Sequence, residues 1–243
     1  MDLTDGENAL LRHIREAREN RETTAPKAEE LGVGVDGAYK VQAAMGEGRE
    51  VSGYKVGLIS PAKQAQMGVD SPIYGRVYRD MILESPVSLS SLLQPRLEAE
   101  LAVILGEDLP PEASPGAAHS AIGGIYLGVD FLSNVWEDGT PVVADVVANN
   151  VAGGGFLLGE RLLDEPLEGN LRLYHNGRLL AEGPIGDMGN TGERLVWLSE
   201  TVGGLKAGQV IFLGTPAAPQ EATAGTIELH GPRGSVLVAD LQD

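Results

Sequence analysis

The sequence predicts an α+β protein, with a small helical N-terminal segment over residues 1–50 and a larger, mixed, mostly antiparallel β domain over 51–243. Three observations carry this. A capping signature opens a helical repeat near the N-terminus. From about residue 51 the texture changes to short apolar runs separated by Gly and Pro. Glycine makes up 33 of 243 residues with no three-residue period, as in a chain with many turns and close backbone approaches.

Thr4-x-x-Glu7 is a capping box, in which a hydroxyl and a carboxylate satisfy free N–H groups at a helix start. Leu10, Leu11, Ile14 and Ala17 follow at helical spacing. A second helix is expected from Asp36, carrying Ala38, Val41 and Met45 and ending in the Gly46/Gly48 region. The stretch between them is polar, contains Pro26 and reads as a connector with at most a short helical turn.

In the β domain, Lys55–Ile59, Gln94–Leu105, Ile122–Leu132 and Val142–Val147 are strand candidates, and Pro61–Met67 a short helix capped by Ser60. Asn176-Gly177 between LRLYH and RLLAE marks a hairpin, because a type I′ turn needs positive φ at both positions. GTIELHG and GSVLVADL form another antiparallel pair. One clear helix interrupts them, capped by Asn190/Thr191 with Glu193, faced by Leu195, Leu198 and Val202, and stopped by Gly203-Gly204.

Composition removes several function classes. The net charge is −17 and no Lys/Arg run offsets it, so a phosphate backbone is repelled and a nucleic-acid partner is not expected. No apolar stretch reaches about 18 residues, so no membrane span is expected. The opening MDLTDGENALL lacks the basic and apolar regions of a secretory signal, which leaves the cytoplasm as the default location. Without Cys there is no disulfide, thiolate metal site or Cys nucleophile. No GxSxG, HExxH or Walker A motif occurs, and Gly153-Gly154-Gly155 and Gly214-Thr215-Pro216 lack the strand–GxGxxG–helix context of a dinucleotide site. His13, His119, His175 and His230 show no ligand spacing.

The candidate chemistry lies in carboxylates. On a strand, Arg96, Glu98 and Glu100 share one side and Leu97, Ala99 and Leu101 the other. The segment runs on into Val103-Ile104-Leu105, as a strand entering a core does. Two buried carboxylates on one face repel each other, and a hard divalent cation with oxygen ligands resolves the conflict. An edge strand with both glutamates in water, balanced by Arg96, is the alternative. Asp130 lies within the apolar run IYLGVDFL, where a bare carboxylate is costly, unless it is a turn residue. Lys55 in GYKVGLI, if buried, has a lowered pKa and serves acid–base chemistry; if exposed, it does neither. Asp80 could simply pair with Arg76 or Arg79.

GYKVGLISPAKQAQMGVDSPIYGRVYRDM, LQPRLEAELAVIL and DVVANNVAGGGFLLG, in that order, resemble the 2-keto-4-pentenoate hydratase branch of the fumarylacetoacetate hydrolase superfamily. The likeness extends back to APKAEELGVGVDGAYKVQ and forward to LYHNGRLLAEG and LKAGQVIFLGTP. It implies a β-roll of fumarylacetoacetate-hydrolase type, a homo-oligomer, and a Mg²⁺ or Mn²⁺ held by Glu98, Glu100 and Asp130, the last standing where the family has Glu. It implies Lys55 and Asp80 as the acid–base pair, with Arg96, Asn150, Gly214 and Thr215 near the substrate. The family's DNAS is Asn149-Asn150-Val151-Ala152 here, and its GSxT is Gly214-Thr215-Pro216-Ala217, so two hydroxyls are absent.

The resemblance implies a lyase acting on a small 2-oxo acid or its enol: hydration of a 2-hydroxydienoate to a 4-hydroxy-2-oxo acid. A 4-oxalocrotonate-type decarboxylase and an acylpyruvate hydrolase share the metal–enolate chemistry. The hydrolase commonly needs a His base, and no His lies between His13 and His119. A non-catalytic ligand-binding descendant is the third reading.

Overall fold

The computed structural model describes residues 2–137, 141–162 and 168–243. Helix α1 (Asp5–Asn20) begins at the Thr4–Glu7 capping box, which closes in both directions, and buries Leu10, Leu11, Ile14 and Ala17. Helix α2 (Val35–Met45) ends at Gly46 and buries Ala38, Val41 and Gln42. Strand β1 (Val51–Gly57) starts four residues earlier than the sequence suggests and stops before Ile59, because Leu58 turns to φ 53°. Helix α3 (Pro61–Gln66) carries its Ser60 cap. Strands β2 (Ile73–Tyr78), β3 (Val87–Ser88) and β4 (Arg96–Leu105) follow, then a short helix α4 (Pro115–Ser120) and β5 (Ile122–Leu132).

The expected strand at Val142–Val147 is instead helix α5 (Val143–Ala148). Its buried Ala144, Val147 and Ala148 fall at helical spacing, and the Asp145 carboxylate accepts from the Val142 N–H at 3.2 Å. The other Asp145 oxygen accepts from the N–H groups of Lys27 and Ala28, so the polar connector after α1 is tied to this helix. A β-branched run this short is decided by capping and tertiary contacts, not by propensity.

The chain continues through β6 (Gly153–Leu162), β7 (Asn170–His175), β8 (Arg178–Pro184), helix α6 (Thr191–Val202), β9 (Val210–Phe212), β10 (Gln220–Glu221), β11 (Gly225–His230) and β12 (Val236–Gln242). The β7–β8 turn has φ 49° at Asn176 and 76° at Gly177, and α6 is capped by the Asn190 side chain and ended by Gly203.

Two sheets form. One has the order β2-β1-β9-β4-β5-β6, with β10 also on β4; the other runs β3-β12-β11-β7-β8. Among the named strands of the described residues, only β1–β9 and β3–β12 pair in parallel, so the sheets are mixed and mostly antiparallel. Leu97, Ala99, Leu101 and Val103 of β4 face a core shared with Leu171, Leu173, Ile227, Leu229 and Leu237 of the second sheet. A second core joins α1, α2 and α5 with Trp136, Ile73 and Val151, so residues 1–50 share their packing with later segments. A third, smaller cluster of Val77, Tyr78, Met81, Ala102, Phe156, Val210 and Phe212 lies on the other face of the first sheet.

Gly53 shows how closely β1 is held to β9. A Cβ there would stand 1.8 Å from the Val210 carbonyl oxygen, a backbone atom that cannot swing away. Gly53→Ala is therefore expected to destabilise the protein by at least about 1–3 kcal/mol, read as a lower denaturation midpoint with little change in slope.

Candidate metal centre

Strand register builds the site. In the antiparallel β4–β5 ladder, Glu98 is paired with Asp130 and Glu100 with Gly128. Paired residues and residues two apart share a face, so Glu98, Glu100 and Asp130 converge. One carboxylate oxygen from each lies within 4.8 Å of the others. Glu100 and Asp130 are fully buried, and the Glu98 side chain is 14% exposed.

Lys55 reaches the same face from β1. Its ammonium contacts Asp130, lies 3.9 Å from Glu98, and donates to the Val151 carbonyl at 3.0 Å. Strands β9 and β10 pair with opposite ends of the same β4 edge, at Ala102–Ile104 and at Arg96–Leu97. The loop between them leaves the ladder beside Glu100, and its Gly214 N–H donates to Glu100 Oε2 at 2.8 Å.

The electrostatics are those of crowded like charges. Burial, then the Asp130 and Glu98 charges, push Glu100 well above the ordinary carboxylate range, against the pull of Lys55 and the Gly214 N–H. Burial also raises Asp130, to about 7, although Lys55 draws it down. For Lys55, burial acts to lower the pKa, as the sequence suggests, but Asp130, Glu98 and Glu100 outweigh it and hold the ammonium above its usual value. Glu100 Oε1 and Asp130 Oδ1 are buried without a hydrogen-bond partner among the described residues. Three carboxylates, two orphan oxygens and a span that a hard cation bridges with ligands at about 2.0–2.6 Å fit a divalent metal site.

The remaining expected residues are placed differently. Asp80 is 65% exposed and ion-paired with Arg49 at 2.7 Å, and it is not among the partners of Lys55. Arg96 pairs with Leu132 in the next row outward on the carboxylate face, and both line a cavity with Gln94, Trp136, Asn149 and Ala152. Asn150 directs both ends of its amide to the Arg76 backbone, accepting at 2.7 Å and donating at 2.9 Å, so it clamps a turn instead of presenting a free amide. Gly214 acts through its N–H on Glu100, and the Thr215 hydroxyl is engaged with Ala217 in a local turn. The Val151 carbonyl and the Gly214 N–H are main-chain groups that no side-chain pattern announces.

Asn150, Val151 and Ala152 have φ of 56°, 52° and 55°, three successive non-glycine residues in the left-handed region. Such a conformation, at a β-branched residue above all, persists only where its surroundings impose it. Here the Asn150 clamp and the bond from the Ser133 N–H to the Ala152 carbonyl at 2.7 Å do so.

Residues 70–239 match the family described as fumarylacetoacetate (FAA) hydrolase C-terminal. A 2-keto-4-pentenoate hydratase of Paraburkholderia phymatum is 31% identical over 94% of this chain and 88% of its own length. A 4-oxalocrotonate decarboxylase of a Pseudomonas species is 33% identical over 44% of this chain and 43% of its own. Among solved structures, the 4-oxalocrotonate decarboxylase from Pseudomonas putida G7, complexed with magnesium and adipate, superposes with a TM-score of 0.88. It covers 99% of this chain and 100% of that one at 24% identity, which speaks to the fold.

The raised proton affinities fix a sign. Glu100 and Asp130 bind protons more tightly folded than unfolded, so the metal-free protein loses stability as pH rises from the ordinary carboxylate range through about 7 for Asp130. A divalent ion competes with those protons, so Mn²⁺ is expected to raise the melting temperature more at pH 8 than at pH 6. Glu100→Gln is expected to stabilise the metal-free protein at pH 8 by on the order of 1 kcal/mol, and to lose most of the Mn²⁺ increment, both read by thermal melts with and without chelator.

Proposed function

The chain belongs to the fumarylacetoacetate hydrolase family, and on that premise we propose that it is a metal-dependent hydratase that adds water to a 2-hydroxydienoate, giving a 4-hydroxy-2-oxo acid. The observation that carries the proposal is the convergence of Glu98, Glu100 and Asp130 beside the buried Lys55. The hydratase-named relative aligned over 94% of the chain supports the reaction class.

Glu98, Glu100 and Asp130 are the residues that would hold a Mg²⁺ or Mn²⁺. When bound, such an ion supplies Lewis acidity toward the oxygens of a 2-oxo acid. The protein's own groups have separate tasks. The Gly214 N–H fixes one Glu100 oxygen and leaves Oε1 available. Lys55, kept protonated by its three acidic neighbours, is the proton carrier of the site, and the Val151 carbonyl fixes where its ammonium stands. Ketonisation of a dienol needs a proton delivered to carbon; a cation held by the three carboxylates would offset their hold on Lys55 and bring its ammonium nearer the proton affinity a donor needs. Asp80, occupied by Arg49 at the surface, has no part in this assignment. The cavity lined by Arg96 and Leu132, the row next to the Glu98–Asp130 pair, offers both polar and apolar walls to the rest of an oxo acid.

Decarboxylation is the second reading, favoured by the relative of that name at 33% identity over part of the chain. Both reactions begin from the same polarised 2-oxo acid, and they differ in whether CO₂ leaves.

Purified protein with Mg²⁺ or Mn²⁺ is expected to consume 2-hydroxypenta-2,4-dienoate, followed by loss of dienol absorbance, with no CO₂ released. Lys55→Met is expected to lower kcat by about 10²–10⁴-fold while Mn²⁺ still binds. Glu98→Gln is expected to weaken Mn²⁺ and activity together. Turnover that survives chelation, or that is indifferent to Glu98→Gln, overturns the metal-centred reading; CO₂ release from 4-oxalocrotonate in place of hydration selects the decarboxylase.

A further inference from the structure

A second cavity, of about 120 Å³, lies between α1, α2, β2 and the C-terminal end of α5. Arg18 of α1 and Arg49, just beyond α2, both line it. Arg18 Nη2 donates to Asn149 Oδ1 at 2.7 Å, but its Nε is buried with no hydrogen-bond partner. No acidic side chain stands within ion-pair distance of Arg18 among the described residues. Burial lowers the Arg18 pKa, and the like charge of Arg49 lowers it further. Arg49 is stacked over Tyr78 at 4.0 Å and held on its outer side by Asp80, with 38% of its side chain exposed.

A largely buried guanidinium with no counter-charge and an unused donor is costly unless something occupies the space before it. The other walls give no anion. Met45, Met81, Tyr78 and Ala148 are mainly apolar, and the Gln42 amide is engaged with Tyr74, Val147 and Arg76. A planar carboxylate matches the guanidinium fork, and a short aliphatic stem matches the methionine walls.

We propose that this cavity is a binding site for a carboxylate group, anchored by Arg18 and Arg49. Two sources present that chemistry: the far end of a dicarboxylate held at the metal centre, or a separate small carboxylate. Asn149 borders both this cavity and the one at Arg96, so the two spaces have a wall in common. The site itself stands apart from the proposed hydration, because its first test needs neither metal nor turnover; only the dicarboxylate source rests on that reading.

The test is calorimetric titration of the metal-free protein, in chelator at fixed ionic strength, with propionate against chloride. Propionate is expected to bind saturably and chloride not to. Arg18→Met is expected to weaken propionate by about ten- to a hundredfold, the loss of one charge-assisted partner. Its metal-free melting temperature is expected to equal or exceed that of the wild type, since a buried uncompensated charge is gone. Propionate no tighter than chloride, or unchanged by Arg18→Met, overturns the proposal. If Arg18→Met melts well below the wild type, Arg49→Gln at the open side decides: propionate affinity must fall several-fold, and no fall overturns the site. A second arm names the source. Adipate that binds tighter with Mg²⁺, with the gain lost in Glu98→Gln, supports the site as the far-end anchor of a dicarboxylate; propionate and adipate indifferent to Mg²⁺ support it as the seat of a separate carboxylate.

Discussion

Three carboxylates on one face of a two-strand ladder, against a single ammonium, are the constraint around which the rest of this protein is arranged. The β4–β5 register places Asp130 opposite Glu98 and leaves Gly128 opposite Glu100. Lys55 neutralises part of the charge and leaves two buried oxygens unsatisfied. A fold optimised only for stability would replace such a cluster with apolar residues, which is commonly neutral or favourable. Its presence in a core strand is a cost in stability, and it shows as raised proton affinity at Glu100 and Asp130.

The supports of that cluster are largely backbone. The turn at 150–152 holds three residues at positive φ so that the Val151 carbonyl faces the Lys55 ammonium. The turn in turn leans on β2: a Cβ on Gly75 would stand 2.6 Å from the Asn150 carbonyl oxygen. Strain in the turn, the Asn150 clamp on Arg76 and the bare Gly75 form one device, and each part makes sense only with the others. The loop after β9 does the same on the opposite side, where departure from the ladder frees the Gly214 N–H for Glu100.

What the sequence made legible was local. The Thr4–Glu7 box, the Asn176-Gly177 turn, the Asn190 cap and the alternation of Glu98 and Glu100 with Leu97, Ala99 and Leu101 are decided within a few residues, and each is found where the pattern puts it. Helix α5 escaped because its valines favour a strand, while the contacts of Asp145 with Lys27 and Ala28 lie more than a hundred residues away in sequence. Contacts 31 and 74 residues apart in sequence likewise hid the Asp80–Arg49 pair and the engagement of Asn150 with Arg76, and strand pairing hid the sign of the Lys55 shift. The neighbours of Lys55 left its burial open, and both that burial and its balance against three converging charges are a matter of register between strands that the sequence does not order.

Two phenylalanines explain why that balance is so severe. Phe156 is paired directly with Asp130 on β6, and Phe212 of β9 lies beside both Lys55 and Ala102. The rings touch at 4.8 Å between centroids, and the Phe212 edge fills the space a Cβ on Gly128 would need, 2.6 Å away. Glu100 and Asp130 therefore stand against an aromatic wall and not against water, which is why burial is the largest cause of their shifts. In such surroundings each fixed charge acts more strongly than it would in solvent. The apolar pair and the acidic triad thus work as one unit: the wall makes the charges costly to leave unpaired, a cost that a bound cation would relieve.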